Sequence, residues 1–286
     1  MSSEIGIFST AGNRRSQIIC NAMHEGLRRV GVKASLLPST RAMSADVDVA
    51  IFYGLAGHLR DLFDRYRRDP AKRAVYIDLG FWGRRDGGKY NGYHKVAVDC
   101  RHPLAYFQRR RHSNARAAKF GVAVKPWRRD GRHILIAGMG PKACMVEGFN
   151  PTEWESMVVD RLRKITDRPL IYRPKPNYMG ARPIRGAVMK TEADQSLEEA
   201  LKNSWAVVAH HSNVCIDALA AGIPVYCADG LALALGRPMD ELKRIEKPEY
   251  PDGREQFIAD VAYTQWNVRE MAEGRVWRYL IEEGVI

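Results

Sequence analysis

Short apolar runs alternate with amphipathic stretches over the first 80 residues. Ile5–Phe8 is an apolar run, and Ile18, Ile19, Ala22, Met23 and Leu27 then recur at helical spacing, with Gly31 as the stop. "VKASLLP" (32–38) begins a second strand, and "VDVAIFYG" (47–54) is apolar from Val49 onward, as a strand buried on both faces must be. "LRDLFDRYRRD" (59–69) predicts a helix and "RAVYIDLG" (73–80) a fourth strand. Strands alternating with helices predict a parallel α/β sheet. From residue 81 the pattern loosens into Gly, Arg and aromatic residues. The segment 81–123 reads as a functional insertion around one short strand, "HKVAVDC" (94–100), followed by a linker at "VKPWRRDGRH" (124–133).

The alternation restarts at "HILIAGMGPKACMV" (133–146). "NPTEWESMVVDRLRKIT" (150–166) predicts a helix with Asn150 as a candidate cap. "RPLIYRPKP" (168–176) predicts a strand, and "SLEEALKNS" (196–204) a helix opened by the capping-box pair Ser196 and Glu199. "WAVVAHHSN" (205–213), "VCIDALAAG" (214–222) and "IPVYCADG" (223–230) read strand, helix, strand. The remainder, with Trp266 and Trp277, reads as C-terminal helices. The fold class is therefore α/β, with two doubly wound, Rossmann-like domains, 1–128 and 129–286. Ligand sites are expected beyond the carboxyl ends of the strands, and a cleft between the domains is the natural active-site location.

Composition changes this picture chiefly through charge. The net charge is +12, and residues 60–132 hold 20 Lys/Arg against 7 Asp/Glu, whereas residues 133–286 hold 19 against 22. That asymmetry predicts a polyanionic partner for the first half alone. The five cysteines form no C-x-x-C pair, which argues against zinc and disulfide frameworks. The N-terminus has no signal-peptide pattern and no apolar run reaches membrane-spanning length, so a cytoplasmic protein without a membrane partner is expected. No G-x-S-x-G occurs, and His210 and His211 would point to opposite faces if both lay on a strand, so neither serine-nucleophile nor metal chemistry is expected. Oligomeric state is left open.

The chemistry concentrates where an apolar strand ends in His210, His211, Ser212 and Asn213. Ser212 or Asn213 can cap the following helix, whose first N–H groups attract anions, and Asp217 lies about one turn on, within reach of a ribose hydroxyl or of the cap itself. In "AGMGPK" (137–142), Gly138 and Gly140 allow backbone near a phosphate that Lys142 can neutralise. Arg173 and Lys175 end the next strand, one a planar fork for diphosphate and the other a point charge. The run H-x-S-N-x-x-I-D-A-L-x-x-G-I-P-V, from His210 to Val225, resembles the donor-nucleotide domain of GT-B glycosyltransferases, as in capsule and phage enzymes. The resemblance covers roughly residues 133–230 well and the first half in outline. It implies a nucleotide-diphosphate sugar, such as a UDP-sugar, as donor substrate. It also implies no cofactor or metal, a basic residue near Arg173 or Lys175 stabilising the departing diphosphate, and the loop of Arg14 and Arg15 facing the cleft.

Asp78 and Asp99, each at a strand end, are the candidate bases for an acceptor hydroxyl. Arg84, Arg85, Lys89, Lys95, Arg101, Arg109, Arg110 and Arg111 are interleaved with aromatics such as Phe81, Trp82, Tyr90, Tyr93, Tyr106 and Phe107. Cations beside stacking rings are what a nucleic-acid surface requires. The leading expectation is transfer of a sugar to a hydroxymethylated pyrimidine in double-stranded, phage-type DNA, with the base flipped out, in the host cytoplasm if phage-encoded. The alternatives are a polysaccharide-building transferase with an anionic glycan or lipid-linked acceptor, and a non-catalytic nucleic-acid-binding α/β protein.

Overall fold

The computed structural model describes residues 4–102, 111–176 and 178–286. The chain forms two compact units, Met1–Arg110 with Asp260–Ile286, and Arg111–Ala259.

The first unit is built on a six-stranded sheet. Strands β1 (Ile5–Ser9), β2 (Ser35–Pro38), β3 (Val49–Tyr53) and β4 (Arg73–Leu79) are mutually parallel, in the order β4-β3-β1-β2. The helix α1 (Arg14–Arg29) links the first two. The Asn13 side chain caps it by accepting from the Ser16 N–H at 3.2 Å, and it buries Ile19, Met23 and Leu27 against the sheet. Each such side chain contributes roughly 1.5–3 kcal/mol on leaving water. The other sheet face packs Phe8, Phe52 and Tyr76 against Leu59, Leu62 and Phe63 of the helix His58–Tyr66.

The edge beyond β4 departs from the sequence expectation in two ways. Strand β5 (Tyr93–Val98), the "HKVAVDC" segment, lies antiparallel to β4 and is buried throughout. No described helix crosses over between β4 and β5, so the chain doubles back rather than continuing the parallel pattern. The last strand, β12 (Gln265–Asn267), then pairs antiparallel with β5. The C-terminal segment, expected with the second domain, thus completes the first sheet. Gln265 locks it there, its Oε1 accepting from the Phe81 N–H at 2.6 Å and the Trp82 N–H at 3.1 Å. Trp277 and Leu280, from the helix Arg275–Glu282, join the core beneath α1.

The second unit has a wholly parallel sheet. Its strands β6 (His133–Ala137), β7 (Leu170–Arg173), β8 (Val188–Met189), β9 (Ser204–Ala209), β10 (Val225–Cys227) and β11 (Arg237–Pro238) are ordered β11-β10-β9-β6-β7-β8. Renumbered within the unit, this is 3-2-1-4-5-6, the Rossmann order, whose topological switch point falls between β6 and β9. The capping box Ser196/Glu199 forms as the sequence predicts. Asn150 does not cap with its side chain. Instead, its backbone and side-chain N–H groups donate to Glu153, and the helix begins at Glu153 after Thr152.

The segment 124–133, expected as a linker, is part of this unit. Lys125 and Arg128 donate backbone N–H bonds to Ala220 and Gly222, and Trp127 donates through Nε1 to the Pro251 carbonyl at 3.2 Å. The guanidinium of Arg254 stacks 4.0 Å from the Trp127 ring. An aromatic anchor and main-chain bonds hold in place what composition alone presents as a flexible joint.

Candidate functional site

The carboxyl ends of β6 and β9 lie side by side, with Ala137 opposite Ala209, and the chain leaves both toward one small cavity. This cavity, of about 40 Å³, is lined by Ala137, Gly138, Met139, Gly140, Ala143, Lys175, His210, His211 and Ser212. Six of the expected donor-binding residues therefore converge: Gly138, Gly140, Lys175, His210, His211 and Ser212. Lys175 reaches across from the end of β7, its Nζ donating to the Ser212 Oγ at 3.1 Å. A Cβ on Gly138 would lie 3.0 Å from the Tyr172 ring and 3.1 Å from Pro174, a tight fit that glycine relieves. A Cβ on Gly140 would meet nothing nearer than Lys175 at 3.5 Å.

The other four do not line this cavity. Arg173 is 8% exposed, and its Nη1 donates to the Gln195 carbonyl at 2.5 Å. It ties the chain after β8 to the sheet through that atom. Lys142 is exposed on the helix Pro141–Glu147. Asn213 makes no side-chain cap on the helix Val214–Ala220, and Asp217 lies half-buried along it.

Sequence reasoning missed Glu155. This carboxylate is 1% exposed, and its Oε1 accepts from the Met139 N–H at 2.6 Å. It occupies one of the amides that a glycine-rich loop would otherwise turn toward a phosphate, so cationic character at this loop comes from lysine. Burial pushes the Glu155 carboxyl above the usual carboxylate range. A helical glutamate three residues after the Thr152 cap carries no sequence signal for such a role.

A second cavity, of about 620 Å³, adjoins the first through Lys175. Pro174, Tyr178, Met179, Arg182, Met189 and Thr191 are among its lining.

His210 and His211 do not point apart. The strand ends at Ala209, and the turn that follows brings their Nδ1 atoms to 2.8 Å. Glu147 lies with them, the ligand atoms of all three falling within 4.8 Å of one another.

In the first unit, Asp78 sits at the carboxyl end of β4, half-buried. Its Oδ2 accepts from the Tyr76 hydroxyl at 2.7 Å and its Oδ1 from the Leu79 N–H at 2.8 Å. Burial, with Asp78 beside it, raises the Tyr76 phenol well above its ordinary range, so it stays a neutral donor. Asp99 lies at the opposite end of the sheet, because β5 runs antiparallel. There it accepts from the Ala74 N–H at 2.7 Å and stands 3.4 Å from Arg73, in a left-handed turn of φ 58°. Asp99 serves as a strand-end brace, and the two carboxylates are not brought together.

The expected acceptor surface is thinner than its sequence. Arg14, Arg15 and Lys89 gather 5.3–5.7 Å from the Tyr90 ring, and the Arg15 Nη2 donates to the Lys89 carbonyl at 3.0 Å. Arg84 and Arg85 are both exposed, and the Arg84 Nε donates to the Gly80 carbonyl at 2.6 Å. Lys95 is buried opposite Asp78, 3.4 Å from His102, and Phe81 and Tyr93 are core residues. Arg101 is half-buried, and Arg111 is exposed on the second unit. Arg109, Arg110, Tyr106 and Phe107 lie outside the described residues.

His94, also missed, is 1% exposed at the same sheet end, packed edge-on to Tyr53 at 5.9 Å, with neither ring nitrogen hydrogen-bonded. Burial, then the Arg15 charge, pushes it down from 6.5 to about 4. The unfolded chain takes up a proton near pH 6.5 while the folded one resists until about 4, so stability falls as pH drops through that window. The expected loss by pH 4 is about 3 kcal/mol. Urea unfolding of wild type and His94→Phe at pH 7 and pH 4 measures it, and the variant should lose this share of the acid sensitivity.

No protein-family model matches the chain, and no curated protein matches it in sequence. Among the solved structures that resemble it are two from KpsC of Thermosulfurimonas dismutans. The beta Kdo 2,4 transferase is 13% identical, with 91% of this chain and 90% of that one covered at a TM-score of 0.53. The beta Kdo 2,7 transferase is 13% identical, with 96% and 99% covered at 0.55. At that identity the likeness is one of architecture: this chain has the paired Rossmann-like fold of the GT-B class. Among the described residues no helix is long and apolar enough to cross a membrane.

Proposed function

We propose that the protein is a glycosyltransferase that binds a nucleotide-sugar donor, of the UDP-sugar type, on its second unit. One observation carries the reading. At the switch point of an all-parallel Rossmann sheet, a small cavity and a larger one share a single lysine, Lys175. The small cavity suits a phosphate group between Lys175 and Ser212, and the larger has room for a nucleoside. As the donor's glycosidic bond breaks, Lys175 stabilises the charge building on the departing phosphate oxygen. Asp78 takes the proton of the acceptor hydroxyl.

A glycan is the acceptor we favour. The fold neighbours are named as Kdo transferases, and several residues expected on a DNA surface are internal instead. A second reading, transfer to hydroxymethylated duplex DNA, draws on the cations gathered at Tyr90. The test is calorimetry with UDP-, GDP- and CMP-linked sugars, followed by transfer assays on acidic oligosaccharides and on hydroxymethylated and plain DNA. Donor binding is expected to weaken by about tenfold in Lys175→Ala, as loss of one charge-assisted bond implies. Heat with none of the nucleotides would sink the proposal, and label on DNA alone would move it to the second acceptor.

A further inference from the structure

We infer that Glu147, His210 and His211 form a binding site for a divalent transition-metal ion at the edge of the small cavity. Two imidazoles and one carboxylate are a donor set suited to zinc, iron, cobalt or nickel. Their ligand atoms already lie within 4.8 Å of one another, before any ion draws them together.

The histidine pair narrows the choice. The two Nδ1 atoms are 2.8 Å apart. An ion at about 2.0–2.1 Å from each would see them at roughly 85°. That is the angle between neighbouring positions of an octahedral or square-planar ion, and it is too acute for a tetrahedral one. The arrangement therefore favours nickel, cobalt or iron over a closed structural zinc site.

The rings are also held ready. His210 packs edge-on between Trp154, at 5.7 Å, and Phe149, at 6.0 Å, which fixes its orientation. His210 and His211 both line the cavity with Gly138, Gly140 and Ser212, so positions trans to the protein ligands would open toward water or a ligand oxygen.

The test uses untagged, chelator-treated protein without nucleotide, so that its failure leaves the donor reading intact. Titration with Ni²⁺ and Co²⁺, followed by calorimetry and by the visible absorption of bound Co²⁺, should show one ion per chain. His211→Ala and Glu147→Gln should each weaken binding by more than roughly a hundredfold, beyond the loss an outer-shell partner causes. His58→Ala, a change at an exposed histidine elsewhere, should leave it unchanged. His211→Gln serves if the alanine variant proves unstable. No saturable binding by wild type, or wild-type affinity in both ligand variants, overturns the inference.

Discussion

Replacing Gly26 by alanine is expected to unfold the first unit under conditions where the wild type is stable. Gly26 lies inside α1, where alanine ordinarily stabilises a helix by up to about 1 kcal/mol. Here a Cβ would stand 2.0 Å from the Met271 carbonyl oxygen, in the helix Val268–Ala272, and 3.1 Å from the Gly274 backbone. Gly274 answers from the other side: at φ 75°, its own Cβ would lie 2.7 Å from the Gly26 carbonyl oxygen. Neither obstacle is a side chain that could swing away. Relief requires the C-terminal helices to lift from α1, taking Trp277 and Leu280 out of the core. The cost should exceed the ~1–3 kcal/mol of ordinary overpacking. Thermal melts followed by circular dichroism, with Ala22→Gly as an opposite change on the same helix, measure it. A Gly26→Ala protein melting within about 2 °C of wild type would contradict the packing described.

The second large effect concerns Asp78. If it takes the acceptor proton, Asp78→Asn should lower kcat by about 10²–10⁴-fold, the usual worth of a positioned base. The amide can still accept from Leu79 and meet the Tyr76 hydroxyl, so the melting temperature should hold. Donor affinity should also hold, because the donor residues belong to the other unit. Asp99→Asn provides the contrast: it disturbs a strand-end brace and should lower stability while leaving kcat per folded molecule within a few-fold. Steady-state kinetics and melts on the two variants separate these roles, and equal kcat losses would remove Asp78 from its assigned place.

The parts of the fold legible in the sequence are those written in local periodicity. Continuous apolarity marked β1, β3, β4, β6 and β9, and Ser196 with Glu199 announced its helix. The destination of the C-terminus was not legible. Whether Trp266 and Trp277 pack on the nearer or the farther sheet depends on a pairing some 170 residues back in the chain, Trp266 with His94, and no local pattern encodes it. At the site, residue types at strand ends located Lys175, Ser212 and the two histidines, because a strand's carboxyl end dictates where its next side chains emerge. Arg173 and Lys175, two residues apart, differ by the end of the strand rather than by alternation. Arg173 is the last strand residue, buried and bonded to the Gln195 carbonyl, whereas Lys175 lies past the strand end and reaches the cavity. Glu155 and His94 are buried ionisable groups whose meaning comes from tertiary surroundings alone.

The first unit is discontinuous, made from residues 1–110 and 260–286 around an uninterrupted second unit. During synthesis the ribosome releases every residue of the inner unit before the outer unit has its β12 edge or the tryptophans beneath α1. The order of maturation is therefore inside-out: the later-coded module closes first, while the earlier-coded one waits with an exposed β5 flank, a surface to which a nascent-chain chaperone would bind.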